Sequence, residues 1–316
     1  MQAYIARRLL ASILVLFIVT LVIFGLMRLV PGDIVDQMAG QQGMLYQKNV
    51  QEIRERLGLT KPIHEQYLNW IGGILHGDLG KSMWTEQSAG KRISDRIPVT
   101  LELGLMSLFI ALLIAIPVGV ISSIRQDSLL DQAGRLFSIG GLSFPDFWLG
   151  TMFVLYAALW FHYQAPIRFV DFFDDPLTNL RQVGPAAVIM GIRLSSTTMR
   201  MLRSAMLEVL RQDYVRTAWS KGLRERAVIT RHVLKNAMIP VITIFGNQVS
   251  LILGGTVIME TLFSLPGMGR LTIDAINQRD YTQVQANVLV LASFIVFANL
   301  VVDISYTWFD PRIRYR

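Results

Sequence analysis

The stretch that comes closest to a nucleotide-binding motif lies at residues 75–82. It reads LHGDLGKS and ends like the phosphate-binding loop G-x-x-x-x-G-K-S/T. Leu75 stands where that motif requires its first glycine, so the loop is incomplete. We therefore do not expect this segment to bind a nucleotide.

The sequence also lacks the residue patterns that metal binding or nucleophilic catalysis would need. The four histidines, His64, His76, His162 and His232, are scattered without metal-ligand spacing, and the chain has no cysteine. No serine stands in a nucleophile motif with a plausible base. The sequence predicts no metal site, no cofactor and no enzymatic activity.

A polar series lies within an apolar run near residue 250. Thr243, Asn247, Ser250 and Gly254 recur at intervals of four, three and four, which places them on one face of a helix. Such a face either lines a passage or packs against a neighbouring helix. The sequence does not distinguish these two interpretations.

Arg193 interrupts another apolar run. An unpaired charge in the centre of a membrane helix costs at least about 3 kcal/mol on insertion scales. We expect Arg193 either to line a translocation pathway or to pair with a carboxylate such as Asp303.

Composition explains where these residues must lie. Of 316 residues, 52% are hydrophobic and only 17% charged, and the mean hydropathy is +0.43. A helix that spans a bilayer needs roughly 20 predominantly apolar residues. Six segments qualify, the first as a retained anchor: about 9–30, 100–124, 136–161, 183–203, 239–260 and 285–309.

The distribution of lysine and arginine predicts the orientation. With the N-terminus inside, fifteen basic residues fall on the cytoplasmic side and four in the two short external loops. Both termini are thus predicted to be cytoplasmic. The net charge of +7 reflects this topology, and we do not expect nucleic acid as a partner.

The spans divide the chain into four parts. Residues 1–30 form the N-terminal segment and first helix, and residues 31–99 form an external loop region. Residues 100–309 form a five-helix core that includes a cytoplasmic loop, 204–238, with a predicted helix break at Gly222. Residues 310–316 form a cytoplasmic tail.

The cytoplasmic loop contains ordered small and polar residues. It reads DYVRTAWSKG at 213–222 and HVLKNAMIP at 232–240. This resembles the ATPase-coupling loop of ABC-importer permeases, specifically the peptide and nickel branch. Arg216, Thr217 and Ala218 stand in place of the generic Glu-Ala-Ala, and 17 residues separate Gly222 from Pro240. Both departures resemble those of the peptide branch.

Further segments resemble the same family along the chain. They include LGL at 57–59, GDLG at 77–80, RIPVT at 96–100, SFP at 143–145, ETLF at 260–263, PGMG at 266–269, RDY at 279–281 and DPRIRY at 310–315. Their order, rather than any single match, carries the resemblance.

The resemblance implies an all-α, six-helix permease of the type I importer kind in a bacterial inner membrane. It implies a second homologous permease, two cytoplasmic ATPases and an external or periplasmic solute-binding protein as partners. The solute would be a di- or oligopeptide or a related small molecule, nickel included. The residues it implicates in ATPase coupling are Tyr214, Arg216, Thr217, Ala218, Gly222, His232, Asn236 and Pro240.

Two other classes of protein are alternatives. An ion-coupled transporter would need buried carboxylates or broken helices near the midplane, and Asp303 near one end of the last span is a weak candidate. An intramembrane enzyme would need a nucleophile with a base, or a metal set.

Overall fold

The computed structural model describes residues 2–29, 54–55, 58–162 and 168–309. That part of the chain is helical, with no β-strand and one isolated antiparallel bridge between Lys81 and Ser88. The all-α prediction is confirmed. Most of the first half of the predicted external region, and the predicted tail 310–316, lie outside the described residues.

Eleven helices are labelled here among the described residues. They are α1 Gln2–Leu29, α2 Ile63–Leu75, α3 Ala89–Ser94, α4 Ile97–Ile124, α5 Leu129–Ser143, α6 Asp146–Phe161, α7 Pro176–Leu210, α8 Asp213–Ser220, α9 Lys235–Leu262, α10 Met268–Asn277 and α11 Tyr281–Phe309. A helical turn, Glu225–Ala227, and a π-helical segment, Val228–Leu234, precede α9.

The chain divides into two compact units. The first comprises residues 1–100 and 266–300, and the second comprises residues 101–265 and 301–316. The first unit thus combines the N-terminal third of the chain with α10 and most of α11. Its small core joins Ala89 and Ile93 of α3 to Met268 and Leu271 of α10 and to Ala286 of α11.

Each of the six predicted spans coincides with a helix or a helix pair. Four segments are long and apolar enough to cross a membrane: Ala6–Leu29, Ala89–Ile124, Glu225–Ile244 and Tyr281–Asp303. A fifth is added if α5 and α6 form one span. Large apolar side chains such as Leu10, Ile13 and Phe109 are exposed, as expected where lipid replaces water.

The predicted fourth span differs from the other spans in its surroundings. It lies within α7, which packs against α5, α6 and α9 and has sixteen buried residues. Because protein surrounds much of this helix, it does not need the apolar surface that lipid requires. This explains why the predicted fourth span is less apolar than the spans in α1 and α4.

Capping and close packing hold α7 in the second unit. Asp175 caps its N-terminus, accepting hydrogen bonds from the backbone N–H groups of Leu177 at 3.1 Å and Thr178 at 3.2 Å, and Pro176 occupies the first turn. The Thr178 hydroxyl also donates to Asp175, and this bond is the largest cause that lowers the pKa of that carboxyl. Further along, Gly191 allows α7 to approach α4 so closely that a Cβ there would lie 2.7 Å from Ile110.

The third predicted span is not one continuous helix. Residues 136–161 fall on α5 and α6, which meet at an angle of 91° around Phe144 and Pro145. Proline has no N–H to donate and disfavours a helical conformation in the residue before it. Phe144 accordingly adopts φ −103° and ψ 129°, and the predicted third span corresponds to a bent pair of helices.

Candidate coupling loop and polar membrane surfaces

The predicted coupling loop, residues 204–238, folds as helical segments on either side of Gly222. Helix α8 ends at Ser220, Gly222 has a φ of +75°, and the next helical turn begins at Glu225. Glycine adopts this left-handed conformation without the steric cost that a Cβ imposes. The predicted helix break at Gly222 is confirmed.

One face of this loop packs against its own helical bundle. Val215 and Ala218 of α8 are buried with Leu202 and Met206 of α7 and with Val233 of the π-helical segment. Ala218, predicted to take part in ATPase coupling, thus faces the chain's own core. The packing makes the loop a fixed extension of the bundle.

The opposite face brings three predicted coupling residues together. The Asn236 side-chain amide donates to the Tyr214 hydroxyl at 3.0 Å and to the His232 carbonyl at 2.7 Å. Tyr214 remains 44% exposed. Although 22 residues separate Tyr214 from Asn236, the two form one small surface.

The other predicted coupling residues lie around this surface. Arg216 and Thr217 are exposed on α8, and the Thr217 hydroxyl donates to the Asp213 carbonyl within that helix at 3.0 Å. Pro240 is half-buried inside α9. These placements leave Arg216 and Thr217 available to a partner.

Two large apolar residues extend the exposed face of the loop. Trp219 and Leu223 are both exposed, and neither was predicted as a site residue. The helical pattern of α8 does not contain this signal, since Trp219 lies four residues after buried Val215 and so near the same side of the helix. Exposed aromatic and aliphatic groups of this kind favour protein contacts.

A buried ion pair stabilises the helix from which the loop extends, and sequence reasoning did not find it. The Asp131 carboxylate on α5 is fully buried and accepts hydrogen bonds from Nε and Nη2 of Arg203 on α7, at 2.7 and 2.8 Å. The Ser122 hydroxyl and, at 3.0 Å, the Asp127 N–H also donate to it, and Nε of Arg135 lies 3.8 Å away. These contacts hold the C-terminal part of α7 against α4 and α5. Its members lie 72 residues apart, so no local spacing indicates it.

The polar series on α9 is only partly described. Thr243 is exposed, Ser250 is half-buried, and the Cβ position of Gly254 faces open space. The side chain of Asn247 lies outside the described residues. Leu251, which is not part of the series, is exposed like Thr243. Exposure therefore does not show whether the series lines a passage or packs against a neighbouring helix.

Arg193 pairs with Asp146, whereas Asp303 was the example of a partner given from the sequence. The Arg193 Nη1 donates to Oδ2 of Asp146 at 2.8 Å. The bend between α5 and α6 accounts for this, because it brings the first residue of α6 alongside the middle of α7. The Arg193 side chain is 50% exposed and that of Asp146 is 17% exposed.

The segment that resembles a phosphate-binding loop has a structural role. Buried Ser82 donates its hydroxyl to Asp280, which also accepts from the Met83 N–H at 3.0 Å. Arg92 lies 3.9 Å from the same carboxylate. Within the first unit, this network joins the residues that directly follow GDLG to Asp280 of the RDY segment. The next helix, α3, begins only at Ala89, not directly after Lys81-Ser82 as in a phosphate-binding loop.

Comparison with known families gives two matches that together cover nearly the whole chain. Residues 115–315 match the binding-protein-dependent transport system inner membrane component family. Residues 1–104 match the N-terminal region of the same class of membrane component.

Individual relatives agree with the family. The dipeptide transport system permease protein DppB of Escherichia coli K12 is 38% identical over 339 aligned positions, covering 100% of both chains. The di/tripeptide transport system permease protein DppB of Pseudomonas aeruginosa is 38% identical, and so is a putative peptide transport system permease protein of Brucella abortus, each over 100% of both chains. These relatives are named as transport permeases, not as enzymes.

A solved structure supports the fold. The inward-facing MetNI methionine ABC transporter matches with a TM-score of 0.54, over 69% of this chain and 96% of the other, at 13% identity. This likeness agrees with the helical arrangement of the type I importer permease. The chain therefore belongs to the inner-membrane permease components of binding-protein-dependent ABC transport systems, which are multi-pass proteins of the bacterial inner membrane.

Proposed function

We propose that this chain is one of two permease subunits of an ATP-driven importer for di- or oligopeptides. The observation that carries the proposal is its full-length likeness to permeases named for dipeptides. A second, homologous permease would complete the translocation pathway, and an external solute-binding protein would deliver the peptide. Two cytoplasmic ATPases would supply the energy.

The geometry of residues 204–238 supports its role as the ATPase-coupling segment. Val215 and Ala218 anchor α8 in the bundle, while Tyr214, Trp219 and Leu223 present an exposed apolar face. A rigid segment with such a face can transmit movement of a bound partner to α7 and α9, since both helices pack against the same core. The loop would therefore act as a lever.

Charge distribution supports the proposed orientation. The eight basic residues from Arg203 to Lys235 favour a cytoplasmic position for the loop, with both termini on the same side. The first loop, 31–99, would then face the solute-binding protein.

Reconstitution of the complete importer into proteoliposomes tests this proposal. Labelled dipeptide should enter when ATP is hydrolysed, and uptake should survive collapse of proton and sodium gradients. Uptake that follows an ion gradient and ignores ATP would instead favour a secondary transporter. ATP-driven uptake of nickel without uptake of any peptide would refute the peptide substrate but not the ABC permease.

A further inference from the structure

A narrow exposed strip runs along the middle of helix α7. Arg193 and Arg200 are exposed and Thr197 is half-buried, whereas sixteen other residues of α7 are buried. These three positions recur at intervals of four and three residues and so share one side of the helix. Half of the Arg193 side chain is therefore accessible to a solute or a partner.

Arg193 lies near the middle of a 35-residue helix. At 1.5 Å per residue, a position 17 residues from the start lies roughly 25 Å along the axis. A charge at this depth is costly against lipid, so intramembrane arginines face protein or a water-filled cavity. The exposed side of Arg193 is thus expected to face an aqueous route.

Asp146 lies where the span is broken. It is the first residue of α6, directly after the 91° bend. Its Oδ2 binds Arg193, while its Oδ1 is buried with no hydrogen-bond partner among the described residues. Broken helices at membrane depth are tolerated where they line a cavity, and substrate sites in transporters are often built there. One carboxylate oxygen is therefore still able to accept a hydrogen bond.

A peptide with free termini carries one positive and one negative charge. Moving both through a medium of low dielectric constant is costly unless each charge finds an opposite partner. An existing Arg–Asp pair can exchange partners, with the guanidinium taking one carboxylate in place of another. Phe144 and Trp148 stack at 5.0 Å on either side of Asp146 in sequence, and their exposed rings can contact many kinds of peptide side chain.

We propose that Arg193 and Asp146 form a transit site for the charged termini of a peptide. The Arg193 guanidinium pairs with the free α-carboxylate, and the Asp146 carboxylate pairs with the α-ammonium group. This inference rests on the proposed peptide transport.

Protection of an introduced cysteine tests the site directly. The chain has no cysteine, so Thr197→Cys, one turn from Arg193, gives a single reactive thiol. In the complete membrane-embedded importer, without binding protein, a dipeptide should slow the reaction of this thiol with a small hydrophilic reagent. The C-terminal amide and the N-acetyl derivative should need roughly tenfold higher concentrations for the same protection, because each loses one charge-assisted hydrogen bond.

Matched variants assign each terminus to its partner. In R193Q the dipeptide and its amide should protect equally, and in D146N the dipeptide and its N-acetyl derivative should do so. R181Q removes an exposed arginine near the start of α7 and should behave like the parent. The double variant R193Q/D146N removes both charges, so neither is left unpaired. It should no longer prefer the dipeptide over its amide or over its N-acetyl derivative. It replaces a single variant that fails to assemble.

Two results would overturn the inference: no protection by the dipeptide in the parent, or unchanged preferences in R193Q and the double variant. ATP-driven dipeptide uptake, measured with binding protein in the same preparations, separates this failure from that of the proposed function. Uptake without protection refutes only the transit site. Absence of uptake in the parent refutes peptide transport itself.

Discussion

At the scale of single side chains, one carboxylate stabilises the base of the coupling loop. Asp131 is fully buried and accepts four hydrogen bonds, two of them from Arg203. Arg203 lies two turns before the end of α7 and directly before residues 204–238, the predicted coupling loop. The position of the loop therefore depends on this pair, although neither residue lies on the loop's exposed face.

Asp131→Asn should destabilise the protein by about 3 kcal/mol, because it leaves the mostly buried Arg203 guanidinium without its opposite charge. The midpoint of thermal unfolding in detergent should fall by several degrees. Asp127→Asn is the control, since this exposed residue bonds to Asp131 through its backbone N–H, which the substitution keeps, and its carboxylate acts on Arg203 more weakly than that of Asp131. Equal midpoints for the two variants would contradict the role of Asp131.

Tyr214→Phe should weaken binding of the ATPase subunits without affecting membrane insertion. It removes the hydroxyl that accepts from Asn236, at a cost of about 1 kcal/mol, and keeps the ring. Tyr214→Ala should weaken binding further because the exposed ring is lost. Co-purification of the ATPase subunits measures both effects, and Thr230→Val, on an exposed hydroxyl of the same loop, is the control. ATPase yields that match this control in both variants would exclude Tyr214 from the interface.

At the scale of helices, apolar runs and a glycine signal were enough to predict most of the architecture. All six runs became helices, and the break at Gly222 appeared where the pattern placed it. The bend at Pro145 was not predicted, because a window of apolar residues continues across it. The Tyr214–Asn236 and Asp131–Arg203 contacts were not predicted either, since they depend on packing between distant segments.

The polar series on α9 can be tested by single cysteines. If the series lines the passage, cysteines at Thr243, Asn247 and Ser250 should react with a hydrophilic thiol reagent, and trapping ATP on the complex should change their reactivity. Cysteines at Ile244 and Leu251 are the controls, since they lie about 100° around the helix from Thr243 and Ser250. Equal protection of all five positions, with or without ATP, would identify the series as a helix contact.

At the scale of the whole molecule, the positive charges predict on which side each loop lies. Exposed Gln87 lies in the first loop and exposed Ser220 in the coupling loop. An impermeant reagent added outside intact cells should label Gln87→Cys, and Ser220→Cys should react only after the membrane is opened. The reverse pattern would overturn the orientation and, with it, the placement of the coupling loop.

The central claim is that residues 204–238 couple ATP hydrolysis to transport. Gly222 has a φ of +75°, and apart from its chain neighbours no atom of the described residues lies within 4 Å of its Cβ position. A substitution there therefore acts through the backbone and not through a clash with these residues. Valine strains this conformation by about 1–2 kcal/mol, whereas asparagine tolerates it. Dipeptide uptake per ATP hydrolysed should therefore fall strongly in Gly222→Val and stay near the parent value in Gly222→Asn. Unchanged uptake per ATP in Gly222→Val would contradict the role of this loop as the coupling lever.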